Sequence, residues 1–115
     1  MTHLLDTSAL LAHYLAENGA ERVQALFEDA AVEAGASILS LYEFELRLHQ
    51  LGVDAATRAS ELNRYRALLT EVVDVTEAVR GEAIRLRTNA TLVHRDPHFA
   101  ALPANFLKQE VLPAK

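Results

Sequence analysis

Three carboxylates lie where predicted strands end or where the helix after a strand begins. Asp6 follows the short apolar run of residues 2–5, Glu43 lies near the start of a long predicted helix, and Asp96 comes just after residues 90–94. The carboxyl ends of parallel strands face the crevice of an α/β sheet, where ligands usually bind. These three acids could therefore share one rim.

Such a cluster suits a hard divalent cation. Mg²⁺ and Mn²⁺ prefer oxygen ligands and keep several waters, whereas zinc favours histidine or cysteine. The chain has no cysteine and five histidines. His94 and His98 are four positions apart, as two ligands on one helix face would be. Pro97 lies between them, however, and no helix is expected there. The acids therefore indicate a site for Mg²⁺ or Mn²⁺.

Each acid also has a purely structural interpretation. Asp6 could cap the helix that follows it, and Asp96 could form a turn before a proline. Ser40 and Glu43 match the S-x-x-E capping box, in which Glu43 would bond back to the backbone of Ser40. For Glu43 alone, the spacing favours the capping box.

The elements that must position the acids alternate between short apolar runs and helical spacing, which is typical of βα units. The pattern predicts strands at residues 2–5, 32–37, 71–75 and 90–94, with a possible edge strand at 106–112. It predicts one helix that follows the first strand and ends before Gly19. It predicts further helices at residues 20–29, 39–51, 54–69 and 77–87. The class is therefore α/β with a parallel sheet of four to five strands.

Composition limits the class of protein. The 115 residues are predicted to form a single domain, residues 1–115. No apolar stretch approaches the ~20 residues that a membrane span requires, and the N-terminus lacks a signal-peptide pattern, so we expect a cytoplasmic protein without membrane contact. The net charge of -5 argues against binding a polyanion through bulk charge, but it permits nucleic acid held by a local basic stripe.

Basic and apolar surfaces could serve such partners. Arg95 is the best-placed cation for a substrate, because it adjoins Asp96, although an ion pair with a neighbouring acid would explain it equally. Two predicted helices carry further arginines, for which a solvated face is the favoured interpretation. The helix at 39–51 has a wide apolar face that indicates core packing first and a homodimer surface second. That face comprises Leu41, Tyr42, Phe44, Leu46 and Leu48.

Taken together, the residues resemble the PIN-domain family, especially the short prokaryotic ribonucleases of the VapC toxin type. The resemblance rests on three segments and extends over the whole chain in the order of elements. The segments are LLDTSALL at 4–11, SILSLYE at 37–43 and ATLVHRDPHF at 90–99. The resemblance implies a three-layer α/β/α fold with a central parallel sheet.

The resemblance also implies a function. Proteins of the VapC toxin type are metal-dependent RNA endonucleases that act as toxins. They are neutralised by a cognate antitoxin and often pair as dimers. By the resemblance, Asp6, Glu43 and Asp96 hold Mg²⁺ or Mn²⁺, and Thr7 or Ser8 lends a hydroxyl to the same pocket. The chemistry agrees, because a cation can activate a water and offset charge on phosphate oxygens.

One feature departs from the family pattern. PIN toxins of this type usually carry another Asp at the start of an Ala-rich helix, but here only Thr88 and Asn89 separate the helix at 77–87 from the next strand. Glu77 and Glu82 belong to the preceding helix and are poor substitutes. Unless the natural chain has residues that this sequence lacks, an alternative function is a catalytically degenerate PIN-like module that binds RNA or an antitoxin without cleaving.

A third function class is a receiver-like phosphoryl-transfer domain, in which an Asp at a strand end carries phosphate. Such domains generally keep a second acid near the first and a lysine at a late strand end. Neither feature is found here, since Lys108 and Lys115 are the only lysines.

Overall fold

A computed structural model describes residues 1–74, 91–95 and 108–114 of the chain. The predicted helix at 77–87 and the predicted site residue Asp96 lie outside these ranges. The described elements, in chain order, are β1 (His3–Leu5), α1 (Thr7–Tyr14), α2 (Ala20–Glu28), β2 (Ala34–Ser37), α3 (Ile38–Gln50), α4 (Ala55–Leu68), β3 (Glu71–Val73), β4 (Thr91–His94) and β5 (Gln109–Val111). Each lies within a few residues of its predicted position.

The five described strands form one parallel sheet in the order β3-β2-β1-β4-β5. In this register His3 lies opposite Thr91, and Leu5 lies opposite Val93. The carboxyl ends of β1 and β4 are therefore neighbours at the same edge of the sheet. The predicted α/β class with a central parallel sheet is confirmed, and the possible edge strand is β5.

The strand β2 is built from small residues because its neighbours approach it closely. All three residues of Ala34–Ala36 are buried. A Cβ added at Gly35 would lie 2.5 Å from Sδ of Met1 and 3.1 Å from the carbonyl oxygen of Glu71. A larger side chain at this position would displace one of these neighbours, so the weak apolar signal of this strand reflects packing.

The helix α3 divides its apolar residues between the core and the surface. Leu41, Phe44 and Leu48 are buried, and the Phe44 ring lies 5.0 Å from that of the buried Tyr65 on α4. The prediction of core packing is confirmed for these three residues, but it is wrong for Tyr42 and Leu46 on the same helix. Tyr42 is 63% exposed and Leu46 42% exposed, because the helix turns them away from the sheet. Of the helices in the described ranges, none is long and apolar enough to cross a membrane.

The C-terminal segment at residues 110–114 packs against the connection between α1 and α2. Gly19 in that connection has φ of +99°, and a Cβ on it would lie 3.1 Å from Cβ of Leu112. Asn18 donates its side-chain N–H to the carbonyl of Ala114 over 2.9 Å. The connection is thereby held beside the last strands of the sheet.

Candidate active site at the carboxyl ends of β1 and β4

Asp6 occupies the position at which β1 ends and α1 begins. Its backbone is extended and its N–H donates to the carbonyl of Val93 over 3.1 Å, which joins it to β4. Its Oδ2 accepts a hydrogen bond from the hydroxyl of Ser8 at 3.0 Å and a longer one, 3.5 Å, from the Ser8 backbone N–H. Asp6 therefore caps α1 as the structural interpretation predicts, and it also lies at the predicted rim.

Ser8 connects Asp6 to the end of β4. Its hydroxyl oxygen accepts a hydrogen bond from the backbone N–H of Arg95 at 3.0 Å. Because the N–H is the donor in that contact, the hydroxyl hydrogen of Ser8 is free to point to Asp6. One side chain thus joins the two neighbouring strand ends.

Glu43 does not form the predicted capping box with Ser40, because Ser40 is not the N-cap of α3. The N-cap is Ser37, whose Oγ accepts from the backbone N–H of Ser40 at 3.0 Å. Glu43 accordingly lies in the second turn, too far along the helix to reach back to the cap. Its Oε2 instead accepts a hydrogen bond from the hydroxyl of Thr7 at 2.9 Å. The capping-box interpretation is wrong, and the carboxylate faces the loop that follows β1.

The hydroxyls of two adjacent residues therefore each donate a hydrogen bond to a different acid. Thr7 donates to Glu43, and Ser8 donates to Asp6, although the two acids are on different elements. Of the residues predicted from the family resemblance to share a pocket, Ser8 contacts Asp6 and Thr7 contacts Glu43. Asp96, the remaining predicted acid, directly follows Arg95 in the chain and lies outside the described residues.

Arg95 directs its guanidinium away from the acids at the rim. Its Nη1 lies 3.5 Å from Oε1 of Glu17, its Nη2 donates to the carbonyl of Asn18, and its side chain is only 11% exposed. The ion-pair alternative weighed for this residue is the arrangement that the structure contains. Nothing in the sequence spacing pointed to Glu17, which is 78 positions earlier in the chain.

The buried His94 also has a structural partner beside the site. It is fully buried, and its Nε2 lies 2.6 Å from Oε1 of Gln109 on β5. A carbonyl oxygen accepts, so Nε2 carries the hydrogen in this contact. The histidine thus links β4 to β5.

Sequence reasoning missed a chain of polar contacts that runs from the buried Tyr65 on α4 to the exposed Glu28 on α2. The hydroxyl of Tyr65 lies 2.6 Å from Nδ1 of His13, and Nε2 of His13 lies 2.6 Å from Oε1 of Gln24. The amide of Gln24 donates to Glu28 over 2.8 Å. Since a carboxylate only accepts, this order gives His13 a hydrogen on Nε2 and lets Tyr65 donate to Nδ1. Burial raises the pKa of Tyr65 to about 12, so its hydroxyl stays protonated near neutral pH.

Comparison with known proteins identifies the family. The family model for the PIN domain matches residues 3–105, which is most of the chain. The chain belongs to the PIN-domain family. This PIN domain also resembles a chain of VapBC2 from Rickettsia felis, solved bound to a DNA fragment from their promoter. That likeness has a TM-score of 0.67 at 18% sequence identity and covers 98% of this chain and all of the other.

The comparisons confirm the fold that the family resemblance implied. This PIN domain has the three-layer α/β/α architecture around its parallel sheet. At 18% identity, the likeness to the Rickettsia felis chain extends to the fold alone. No curated protein sequence matches this PIN domain.

The donor atoms at the rim of this PIN domain suit a hard cation. Asp6 and Glu43 present carboxylate oxygens, and Thr7 and Ser8 present hydroxyls. Mg²⁺ is commonly held by one or two carboxylates together with waters and substrate phosphates. Within the described ranges no group of three His, Cys, Asp or Glu side chains could hold a metal, and the cation-binding role of these two acids stays a prediction.

Proposed function

We propose that this PIN domain is a Mg²⁺- or Mn²⁺-dependent endoribonuclease that acts as the toxin of a toxin–antitoxin pair. One observation carries the proposal: Thr7 and Ser8 hold acids from two different elements beside the carboxyl end of β1. That edge of a parallel sheet is where ligands bind in α/β folds. Membership of the PIN-domain family supports the same function.

In the proposed mechanism, Asp6, Glu43 and Asp96 bind the cation. When bound, the cation would activate a water for attack on a phosphodiester and offset the charge that develops on the phosphate oxygens. The chain's own residues provide the geometry for this chemistry. Ser8 orients Asp6, and Thr7 orients Glu43, so that neither carboxylate has to be ordered when substrate arrives.

RNA is the substrate that we propose, although the chain has a net charge of -5. A cation held by the acids would offset the repulsion between the rim and the phosphates of RNA. Arg95 was a candidate for the phosphate contact, but its buried, paired guanidinium supports a structural role instead. We therefore leave Arg95 out of the proposed RNA contacts.

A cognate antitoxin is the protein partner that we propose. The Rickettsia felis protein with a similar fold was solved as VapBC2 on a DNA fragment from their promoter. A homodimer is a further proposal, and apolar side chains on one face of α3 support it. Leu39 is 51% exposed there, beside the exposed Tyr42 and Leu46. Apolar side chains grouped in this way often belong to interfaces.

A non-cleaving module is the second candidate function. The observation that favours it is the spacing between the helix predicted at 77–87 and β4, which leaves no room for the helix that carries a further family acid. Fewer carboxylates at the rim would weaken cation binding and the activation of water. The two candidates differ in whether RNA is cut, so one measurement separates them.

The test is cleavage of RNA by the purified protein with Mg²⁺ or Mn²⁺. We expect Asp6→Asn and Asp96→Asn each to lower the cleavage rate by at least about 100-fold, because each removes a cation ligand. Glu45→Gln is the matched control, since it changes an acid on α3 that does not contact Thr7, and we expect it to cleave at the parental rate. Equal cleavage by all variants would contradict the site. An inactive parent that still binds its antitoxin would support the non-cleaving module.

A further inference from the structure

Arg95 connects two distant parts of the chain through its side chain. Its guanidinium contacts Glu17 at 3.5 Å and the carbonyl of Asn18, both in the connection between α1 and α2. The Glu17 side chain is 20% exposed and that of Arg95 is 11% exposed, so water screens the pair only partly. The contact therefore restrains the end of β4 against this connection.

The backbone of the same residue reaches the candidate site. The N–H of Arg95 donates to the hydroxyl of Ser8 at 3.0 Å, and that hydroxyl donates to Oδ2 of Asp6 at 3.0 Å. A continuous series of contacts thus runs from Glu17 through Arg95 and Ser8 to the carboxylate of Asp6. Hydrogen bonds that share a member in this way polarise and strengthen one another.

The far end of this series is fixed by the C-terminal segment. Gly19 packs tightly against Leu112, and Asn18 donates to the carbonyl of Ala114. The α1–α2 connection is therefore a firm support rather than a free loop. A residue tied to it can hold a backbone amide in place.

We infer that Arg95 is a positioning residue that acts on Asp6 through the hydroxyl of Ser8. The inference rests on the proposed function in one respect, since it takes Asp6 to be a cation ligand. Partners that orient a ligand commonly matter to metal affinity by about 10- to 100-fold. In this role Arg95 positions Asp6 without contacting the cation or the RNA.

A contribution to stability alone is the competing explanation for the ion pair, and the geometry argues against it. The Nε of Arg95 is buried with no hydrogen-bond partner in the part of the chain that the structure describes. Partly buried ion pairs with unsatisfied groups are weak sources of stability, because desolvation offsets the attraction. The arrangement is better suited to fixing a position than to stabilising the fold.

A second ion pair near the same connection supplies a matched control. Arg22 on α2 lies 2.7 Å from Oε1 of Glu110 on β5. Removing it loosens the contact between α2 and the C-terminal segment but breaks no link to Ser8. Glu17→Gln and Arg95→Lys each weaken the series to Asp6, whereas Arg22→Gln leaves it intact.

Two measurements test the inference on the full chain. The first is hydrogen exchange at the Arg95 amide, followed by NMR without metal and compared with the core amide of Leu5. The second is Mn²⁺ affinity measured by calorimetry. We expect Glu17→Gln and Arg95→Lys to speed exchange at residue 95 selectively and to weaken Mn²⁺ binding by about 10-fold. Arg22→Gln is expected to change neither.

A double variant adds a readout that a stabilising role would not affect. Ser8→Ala breaks the series at its centre, so adding Glu17→Gln to it is expected to cause no further loss of Mn²⁺ affinity. Additive losses, or unchanged exchange at residue 95 in both single variants, would overturn the inference. A parent that binds no Mn²⁺ would overturn the proposed cation site instead, and the exchange data would still decide whether Arg95 holds its amide against Ser8.

Discussion

The hydroxyl of Thr7 donates a hydrogen bond to Oε2 of Glu43 across 2.9 Å, and this contact joins the loop after β1 to the second turn of α3. Thr7 is next to Asp6 in the chain, so the contact sets the position of one acid relative to the other. The hydroxyl of Thr7 thereby restrains the carboxylate of Glu43 beside the start of α1.

Replacing Thr7 by valine keeps the shape of the side chain and removes this donor. We expect Thr7→Val to weaken Mn²⁺ binding by about 10-fold, because Glu43 loses the group that orients it. Thr7→Ser keeps the hydroxyl and is expected to retain affinity within about 3-fold of the parent on the same grounds. Calorimetric titration with Mn²⁺ measures both. Equal weakening by valine and serine would show that the methyl group matters rather than the hydrogen bond.

The start of α3 gives a second prediction, which concerns stability. Ser37→Ala removes the N-cap oxygen that accepts from Ser40, and we expect a loss of about 1 kcal/mol in the free energy of unfolding. Glu43→Ala is expected to cost less than about 0.5 kcal/mol, since Glu43 is exposed and caps nothing. Urea denaturation measures both changes. A larger loss for Glu43→Ala than for Ser37→Ala would instead support a capping box between Ser40 and Glu43.

The third prediction concerns the buried hydroxyl of Tyr65. Tyr65→Phe leaves Nδ1 of His13 without its donor, and we expect a loss of about 1–3 kcal/mol in the free energy of unfolding. Tyr42→Phe is the control, because Tyr42 is 63% exposed and its loss is expected to stay within about 0.5 kcal/mol. Matched urea curves for the two variants decide the point. Equal effects would argue against a structural role for the polar chain.

The same residue predicts how stability changes in alkali. Burial raises the pKa of Tyr65 in the folded protein to about 12, from the 10.0 that an exposed tyrosine has in the unfolded chain. The raised pKa favours the protonated form on folding, so its contribution is fully present below pH 10 and is lost as the pH rises towards 12. The parent is therefore expected to lose stability over this window more steeply than Tyr65→Phe. Parallel losses would contradict the assignment.

Two glycines with positive φ separate backbone strain from steric contact. Gly52→Ala introduces a Cβ into open space at φ of +87°, and we expect a cost of about 1–2 kcal/mol from strain. Gly19→Ala adds contacts of 3.1 Å to Leu112 and 3.2 Å to Pro113 at φ of +99°, so its cost is expected to be larger. Thermal unfolding of both variants measures the difference. Equal costs would show that the C-terminal segment yields easily.

Much of the fold could be predicted from local patterns, since strand and helix positions follow apolar spacing and turn residues. The predicted start of α3 at residue 39 lies one residue from the observed start, but Ser37 and Ser40 both suit an N-cap, and the structure has Ser37 in that position. The choice of N-cap decides whether Glu43 can reach back to it. Local sequence carries too little information to choose between two serines three residues apart.

The site was partly predictable for a different reason. The carboxyl-end rule predicts Asp6, Glu43 and Asp96 at one rim, and the family resemblance adds Thr7 or Ser8. In the structure Thr7 contacts Glu43 and Ser8 contacts Asp6. The roles of the three acids as cation ligands stay predictions. The contacts of Arg95 with Glu17 and of Tyr65 with His13 join residues far apart in the chain, and no spacing rule encodes such pairs. They depend on how the helices pack.

The strand order has a consequence for synthesis on the ribosome. β1 is made first, but one of its two neighbours in the sheet is β4, whose residues 91–93 pair with residues 3–5. A nascent chain that stops before residue 91 therefore has an open edge on β1 and lacks the amide that holds Ser8. Pairing over such a separation is also slow. The rim around Asp6 is completed only after residues 91–95 have been translated, so products that end before them cannot assemble it.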